Sequence, residues 1–323
     1  MTDFPIEWLP ANLRFHRYDL GWRAIRRARA VQGDLVYTWL PQAGLFGLLH
    51  SFPLVFELHG PPEGRFGPAL FRLLLRLPGQ KRWLPITRAL AALQAESGMP
   101  LEQPAHQNSM VVSPNGIDLE RYTGLPDPAT ARQELGLRQA PTVGYTGHLY
   151  AGRGTGLLVE LARSLPQVQF LWVGGREADV ESWQSRLQAE GLTNILLTGF
   201  VENSRLPIYQ AAADVLLMPY ERVITGSSGG NSAAYASPMK MFEYMACKRA
   251  ILSSDLPVIR EVLNETNAVL CVPEDVAGWT EALAALLGNE GQSASLVNQA
   301  WQDVQSYTWL ERARRALAGF PIR

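Results

Sequence analysis

The sequence predicts an α/β protein built on parallel sheets, and three observations carry that expectation. Its second half alternates short apolar runs of strand length with helical stretches, the pattern of strands joined by crossover helices. Its 323 residues allow two domains at roughly 150 residues each. Hydrophobic residues make up 47% and charged residues 18%, which suits a buried core and excludes a disordered chain. The net charge of −1 gives no electrostatic reason to expect a nucleic-acid partner. Two cysteines make neither a disulfide framework nor a zinc site, and they fit a reducing cytoplasm. No apolar run approaches the roughly 18 residues of a membrane span, and MTDFPIEW lacks the order of a signal peptide.

The second domain is expected over 141–302. Its candidate strands are 142–146, 168–173, 194–198, 214–218, 250–254 and 268–272, each short and apolar as a strand buried on both faces should be. Helical patterns fall at 155–164, 179–190, 204–213, 238–247, 257–263 and 276–287. In such a sheet ligands bind at the carboxyl ends of the strands, near the switch point of strand order. The first domain, 1–113, is thinner. Extended runs at 34–39, 53–59, 84–87 and 110–113 alternate with helices near 20–31, 67–77 and 88–96. The Pro-, Gly- and charge-rich stretch 114–140 reads as a linker. The closing stretch 293–319 reads as helical, and 303–323 is expected to be able to pack back on the first domain.

Charge is unevenly divided. Residues 1–113 carry 12 Lys and Arg against 8 Asp and Glu, whereas the remainder carries 17 against 22. Six bases between Glu63 and Glu96 (Arg65, Arg72, Arg76, Lys81, Arg82, Arg88) are interleaved with apolar side chains. A peripheral contact of 65–88 with anionic membrane is one expectation; a helix with a solvated arginine face is the other.

Three segments carry candidate chemistry. In Ser237-Pro238-Met239-Lys240-Met241-Phe242-Glu243, serine then proline is a good helix start, with Ser237 as cap and Pro238 at the first position. The amides of Met239, Lys240 and Met241 then form an anion site to which Lys240 adds a full charge. Glu243, a turn deeper, is suited to accept from ribose hydroxyls. Ahead of it lies the Gly- and Ser-rich loop 226–232, able to close on a ligand. The second segment, Gly144 to Gly154, follows a strand and opens a helix, where a phosphate loop belongs. There Gly147 is a donor-binding candidate, Arg153 offers fork-shaped donors to phosphate, and His148 sits beside the same group. The third, Glu57-Leu58-His59-Gly60-Pro61-Pro62, puts a histidine at a strand's carboxyl end, facing a cleft between domains. Gly174 and Gly175, then Phe200 and Val201, follow strands and line the same edge, where a nucleobase fits. Alone, the first two segments read equally well as structure, a capped helix and a Gly-rich turn, and a lone histidine is more often structural than catalytic.

Taken in order, PNGIDLERY, YTGHLYAGRG, FLWVGG, LLTGFV, DVLLMPY, SPMKMFEYMAC and SSDLPVIREVL resemble family 4 of the retaining, nucleotide-sugar-dependent glycosyltransferases. The likeness covers most of 108–287, and ELHGPP is similar to the family's cleft-histidine segment. The resemblance implies a GT-B-like fold, two facing Rossmann-like domains with the N-terminal one incomplete. Met1 falls after the family's opening strand and Gly-rich loop. It implies a nucleotide diphosphate sugar as donor, a carbohydrate or lipid-linked hydroxyl acceptor, retention of configuration and no metal or other cofactor. By motif position, Arg153 and His148 meet the diphosphate with Lys240 and the amides around it. Glu243 binds the ribose, and His59 approaches the transferred sugar. Tyr235 stands where the first glutamate of the family's pair is usual, and Lys248 where a glycine is usual. A non-catalytic nucleotide-sugar-binding partner or regulator of another transferase is the rival reading. The expected location is cytoplasmic, with any membrane contact at the inner face.

Overall fold

A computed structural model describes residues 5–15, 17–102, 108–224 and 231–321, so most of the loop 226–232 named above lies outside the described residues. The elements run α1 (Tyr18–Ala30), β1 (Val36–Thr38), α2 (Pro41–Leu49), β2 (Leu54–Leu58), α3 (Gly67–Arg76), β3 (Lys81–Pro85), α4 (Arg88–Glu96) and β4 (Asn108–Met110). They continue with α5 (Pro128–Glu134), β5 (Thr142–Thr146), α6 (Thr155–Ser164), β6 (Gln169–Val173), α7 (Glu177–Ala189), β7 (Ile195–Leu197), α8 (Leu206–Ala211) and β8 (Val215–Met218). The chain closes with α9 (Met239–Ala246), β9 (Ala250–Ser254), β10 (Val269–Cys271), α10 (Val276–Gly288), α11 (Glu290–Val304) and α12 (Trp309–Leu317). It divides into two compact units: Met1–Pro114 with Ala313–Arg323, and Asn115–Arg312.

The first unit holds a parallel sheet of order β1-β2-β3-β4. Two of its strands lie about three residues earlier than apolar pattern suggests. The run 84–87 is the end of β3, which starts at Lys81, and 110–113 follows on from β4. The charged pair Lys81-Arg82 hid that start. Lys81 is 1% exposed, its ammonium donating to the carbonyls of Leu75, at 3.0 Å, and Leu77. Long stems can be buried when the charged heads find carbonyls. The helix α2 was not foreseen, because PQAGLFGLL is apolar on most sides and shows no 3.6-residue alternation. Val55, Leu84, Ala316 and Phe320 form a core cluster, so the last residues of the chain complete this unit.

The second unit holds a parallel sheet of order β10-β9-β8-β5-β6-β7. Strand order reverses between β5 and β8, which makes their carboxyl ends the switch point. Val143, Tyr145, Phe170, Trp172, Leu217, Leu252 and Trp279 fill its core. The stretch 114–140, read above as a linker, contributes here. It contains α5, whose buried Arg132 donates to the Ala212 carbonyl and to Asp214, each at 3.0 Å. Asn115 donates from its amide to Ser237 Oγ at 3.0 Å and from its side chain to the Ser237 carbonyl at 2.6 Å. A Cβ on Gly116 would stand 2.8 Å from the Trp309 ring. Two further expectations change. Residues 257–263 run as successive turns, in which Ile259 and Val262 each donate three residues back. The closing helix is broken by a 3-10 turn at Gln305–Tyr307.

Candidate functional site

At the carboxyl ends of β5, β6 and β7 lies a cavity of about 500 Å³, walled also by α9. Its lining includes Gly147 and His148 after β5, Gly174 and Gly175 after β6, Phe200 and Val201 after β7, and Lys240 and Glu243 on α9. Eight of the residues singled out from sequence therefore meet in one place. The backbone explains the glycines. Gly147 has φ 138°, and a Cβ there would come within 2.8 Å of Lys240 Nζ. Gly174 has φ 114°, donates to the Gly199 carbonyl at 2.9 Å, and has no room for a Cβ, which would meet the Gly147 carbonyl at 2.5 Å. The φ values favour glycine, and its absent side chain leaves backbone open to a ligand.

Four expected residues are not in the lining. His59 belongs to the first unit, where its Nε2 is bonded to Glu57 Oε2 at 2.8 Å and Tyr37 donates to the other Glu57 oxygen. Arg153 is stacked between the rings of Tyr150 at 4.9 Å and Tyr220 at 5.3 Å, donating to the Tyr150 hydroxyl. It shares the Tyr220 ring with Lys240, whose Nζ lies over Tyr220 at 5.3 Å and over Tyr145 at 4.2 Å. Met239 is exposed and Met241 is buried in the core. The start of α9 also differs from expectation. Pro238 is its N-cap, and the Ser237 hydroxyl accepts from Asn115 rather than from the helix. The Met241 amide is occupied by the Pro238 carbonyl at 3.2 Å, because the first turn is tightened to a three-residue bond. The amide site is smaller than the sequence suggested.

The site is cationic and partly dry. Burial, with Arg153 nearby, pulls the Lys240 ammonium down to about 7. Burial first, then Arg153, Arg176 and Lys240, lowers His148 and favours its neutral form. Glu243 is pushed above the usual carboxylate range by burial, against a hydrogen bond from Gln210 and the charge of Lys240. Phe200 is 82% exposed at the edge of the cavity, a large apolar ring with one face available for stacking. Sequence reasoning missed Arg176, Glu177, Thr146 and Leu206 in this lining. Arg176 carried a signal: a base directly after Gly174-Gly175, at the end of a strand. A wider hollow of about 760 Å³ holds Arg132, Asp214, Lys248 and Arg249 at the opposite edge of the sheet. Arg132 and Arg249 there are bonded to carbonyls of Ala211, Ala212 and Pro126, so they hold structure together. Among the described residues no group of three or more His, Cys, Asp and Glu is placed to hold a metal ion. None of the described helices is long and apolar enough to cross a membrane.

Two parallel α/β sheets and a cavity at a strand-order switch define the fold of GT-B glycosyltransferases. Solved structures share it: Anabaena Alr3699/HepE in complex with UDP (TM-score 0.72, 19% identity, covering 92% of this chain and 80% of that one). Sucrose-phosphate synthase from Thermosynechococcus elongatus is similar (TM-score 0.71, 18% identity, 97% and 79%). The family model for glycosyl transferases group 1 matches residues 140–289. The D-inositol 3-phosphate glycosyltransferase of Xylanimonas cellulosilytica is 28% identical over 75% of this chain and 58% of its own length. The phosphatidyl-myo-inositol mannosyltransferase of Mycolicibacterium smegmatis is 28% identical over 61% and 47%. The chain thus spans about half the length of the curated relatives it matches.

Proposed function

We propose that this chain is a retaining glycosyltransferase that moves a sugar from a nucleotide diphosphate sugar to a hydroxyl acceptor in polysaccharide or glycolipid synthesis. The observation that carries the reading is the gathering of Lys240, Glu243, Phe200 and the Gly147 and Gly174 backbones around one cavity. Each suits a different part of such a donor. Phe200 and Val201 offer a face to the base, Glu243 accepts from the ribose, and Lys240 with Arg176 meets the diphosphate. Solved neighbours were crystallised with UDP and with UDP-glucose, which supports a nucleotide-sugar donor for this fold.

In this reading the chemistry is mostly stabilisation of the leaving diphosphate. Negative charge grows there as the glycosidic bond breaks, and cations already in place act on it without reorganising. Lys240 and Arg176 supply the charge from the lining, and Arg153, over the same Tyr220 ring as Lys240, adds to it from outside the lining. The departing diphosphate takes the acceptor proton on the face it leaves, which gives retention, and this chain's cations fill the role a metal would otherwise have. His59, set by Glu57, orients the transferred sugar or its acceptor. A carbohydrate or lipid-linked acceptor, a cytoplasmic site of action and peripheral contact with the inner face of a membrane complete the proposal.

The test is calorimetric titration of nucleotide sugars into the wild-type protein and into Lys240→Ala and Glu243→Ala. Loss of one charge-assisted contact is expected to weaken binding by roughly tenfold or more in each variant. Equal heats from all three proteins would overturn the donor site.

A further inference from the structure

We infer that Gln210 is a positioning residue of this site, its buried side-chain amide holding the Glu243 carboxylate where it meets the ribose hydroxyls of a nucleoside diphosphate. The inference rests on the donor-site reading above and adds a residue that touches no ligand. Gln210 is wholly buried on α8, and its Nε2 donates to Glu243 Oε2 at 3.0 Å. An ionised carboxylate only accepts, so the amide nitrogen must be the end that faces it. One Glu243 oxygen is thereby occupied by protein, which fixes the plane of the carboxylate and leaves the other for the cavity.

The arrangement leaves buried polar atoms unpaired. Gln210 Oε1 is buried with no hydrogen-bond partner among the described residues, and so is the hydroxyl of Tyr122, which lies near enough to Glu243 to feel its charge. A buried polar atom without a partner is destabilising, and a methionine of similar length would remove the orphan together with the bond. Retaining an amide here has a rationale if the bond to Glu243 matters. Burial opposes the ionised form of Glu243, and the Gln210 bond and Lys240 support it. Removing the amide hands the balance to burial.

The charged and titratable groups around Glu243 are Lys240 on its own helix, Arg121, Tyr122, Tyr220, Tyr244 and Cys247. The tyrosines and Cys247 stay neutral below pH 8, all four tyrosine and thiol protons being held by burial. Lys240, which titrates at about 7 beside Glu243, and His148 also change charge over this range, so the profiles are read against the Glu243→Gln pair, in which only the Glu243 carboxylate is removed.

The experiment measures the Kd of UDP, GDP and ADP between pH 5 and 8 for wild type, Gln210→Met, Glu243→Gln and the double variant. For whichever diphosphate binds, Gln210→Met is expected to raise Kd by roughly tenfold, and by more at the acid end of the range than at pH 8, because the lost bond no longer opposes the upward push of burial on the carboxylate. In the Glu243→Gln background the same substitution is expected to leave the pH profile unchanged. A Gln210→Met profile that overlays the wild type, or a loss equal at every pH, would overturn the positioning role while leaving the donor site intact. Binding by none of the diphosphates to wild type, or an unaltered Kd in Glu243→Gln, would instead overturn the donor-site reading and this inference with it. Thermal unfolding of Gln210→Met at or above the wild-type midpoint is the expected control; a collapse of the fold would mark Gln210 as structural and overturn the proposal.

Discussion

Lys240 is a cation that burial keeps close to neutrality, and that has a consequence for ligand binding. Its ammonium titrates at about 7 because burial, and then Arg153, disfavour the charged form. A diphosphate in the cavity reverses that balance by placing negative charge beside it, which raises the ammonium back toward its ordinary range. At pH 8 the free protein therefore holds Lys240 mostly deprotonated, and binding takes up nearly one proton. Affinity for the diphosphate is expected to fall as pH rises from 7 toward 9. Titrations at pH 8 in Hepes and in Tris, whose ionisation heats differ, check this. The observed heat should differ between buffers for wild type and agree for Lys240→Met. Identical heats for wild type in both buffers would refute the assignment.

At the scale of elements, strands and motif order were readable while the roles inside the motifs were not. The strands β5 and β9 match the expected 142–146 and 250–254 because a strand buried on both faces is a bounded apolar run. The segment 144–154 looked like one phosphate loop, yet its glycines do different things. Gly147 opens the cavity to Lys240, whereas Gly154, at φ 74°, is needed because a Cβ would stand 1.8 Å from the Pro219 carbonyl. Packing of that kind leaves no trace in spacing. Buried charge misled similarly: Lys81 and Arg82, read within a basic surface over 65–88, are interior residues of β3. Arg65, Arg72 and Arg76 stay exposed in 65–88 with Phe66 beside them, and a second exposed basic and aromatic surface lies on α1 and the segment before it. There Trp8 is 91% exposed, Tyr18 and Trp22 are also exposed, and Arg26 lies 4.6 Å over the Trp22 ring. Arg23 and Arg29 are exposed on the same helix, an arrangement suited to anionic headgroups. If this surface makes the proposed membrane contact, Arg23→Ser with Arg26→Ser should cost about 2 kcal/mol, roughly thirtyfold in affinity for anionic vesicles. Cosedimentation that is the same with zwitterionic and anionic vesicles would count against it.

At the scale of the whole chain, the first unit is assembled from two pieces far apart in sequence. Its sheet comes from residues before Pro114, and the cover over Val55 and Leu84 comes from Ala316 and Phe320. The fastening is Arg82. Its buried guanidinium donates to the carbonyls of Ala316 at 3.1 Å and Ala318 at 2.7 Å and lies 5.0 Å over the Phe320 ring. Apolar periodicity in 303–323 allowed a helix but could not say what it covers, since the partner is a charged side chain hidden inside a strand. Removing 313–323 would strip those carbonyls from a buried cation, a loss of about 3–5 kcal/mol before lost apolar burial is added. A domain of ordinary stability has only about 5–15 kcal/mol to lose. Deletion of 313–323 is therefore expected to unfold the first unit while the second, with its own sheet and core, persists. Arg82→Met, which removes the bonds and the buried charge together, should lower the unfolding midpoint less than the deletion does. Limited proteolysis followed by mass spectrometry reads the result directly. Cleavage should appear throughout 17–102 in the deletion variant and spare 142–218, whereas a deletion variant as resistant as the full chain would show that the closing segment holds nothing together.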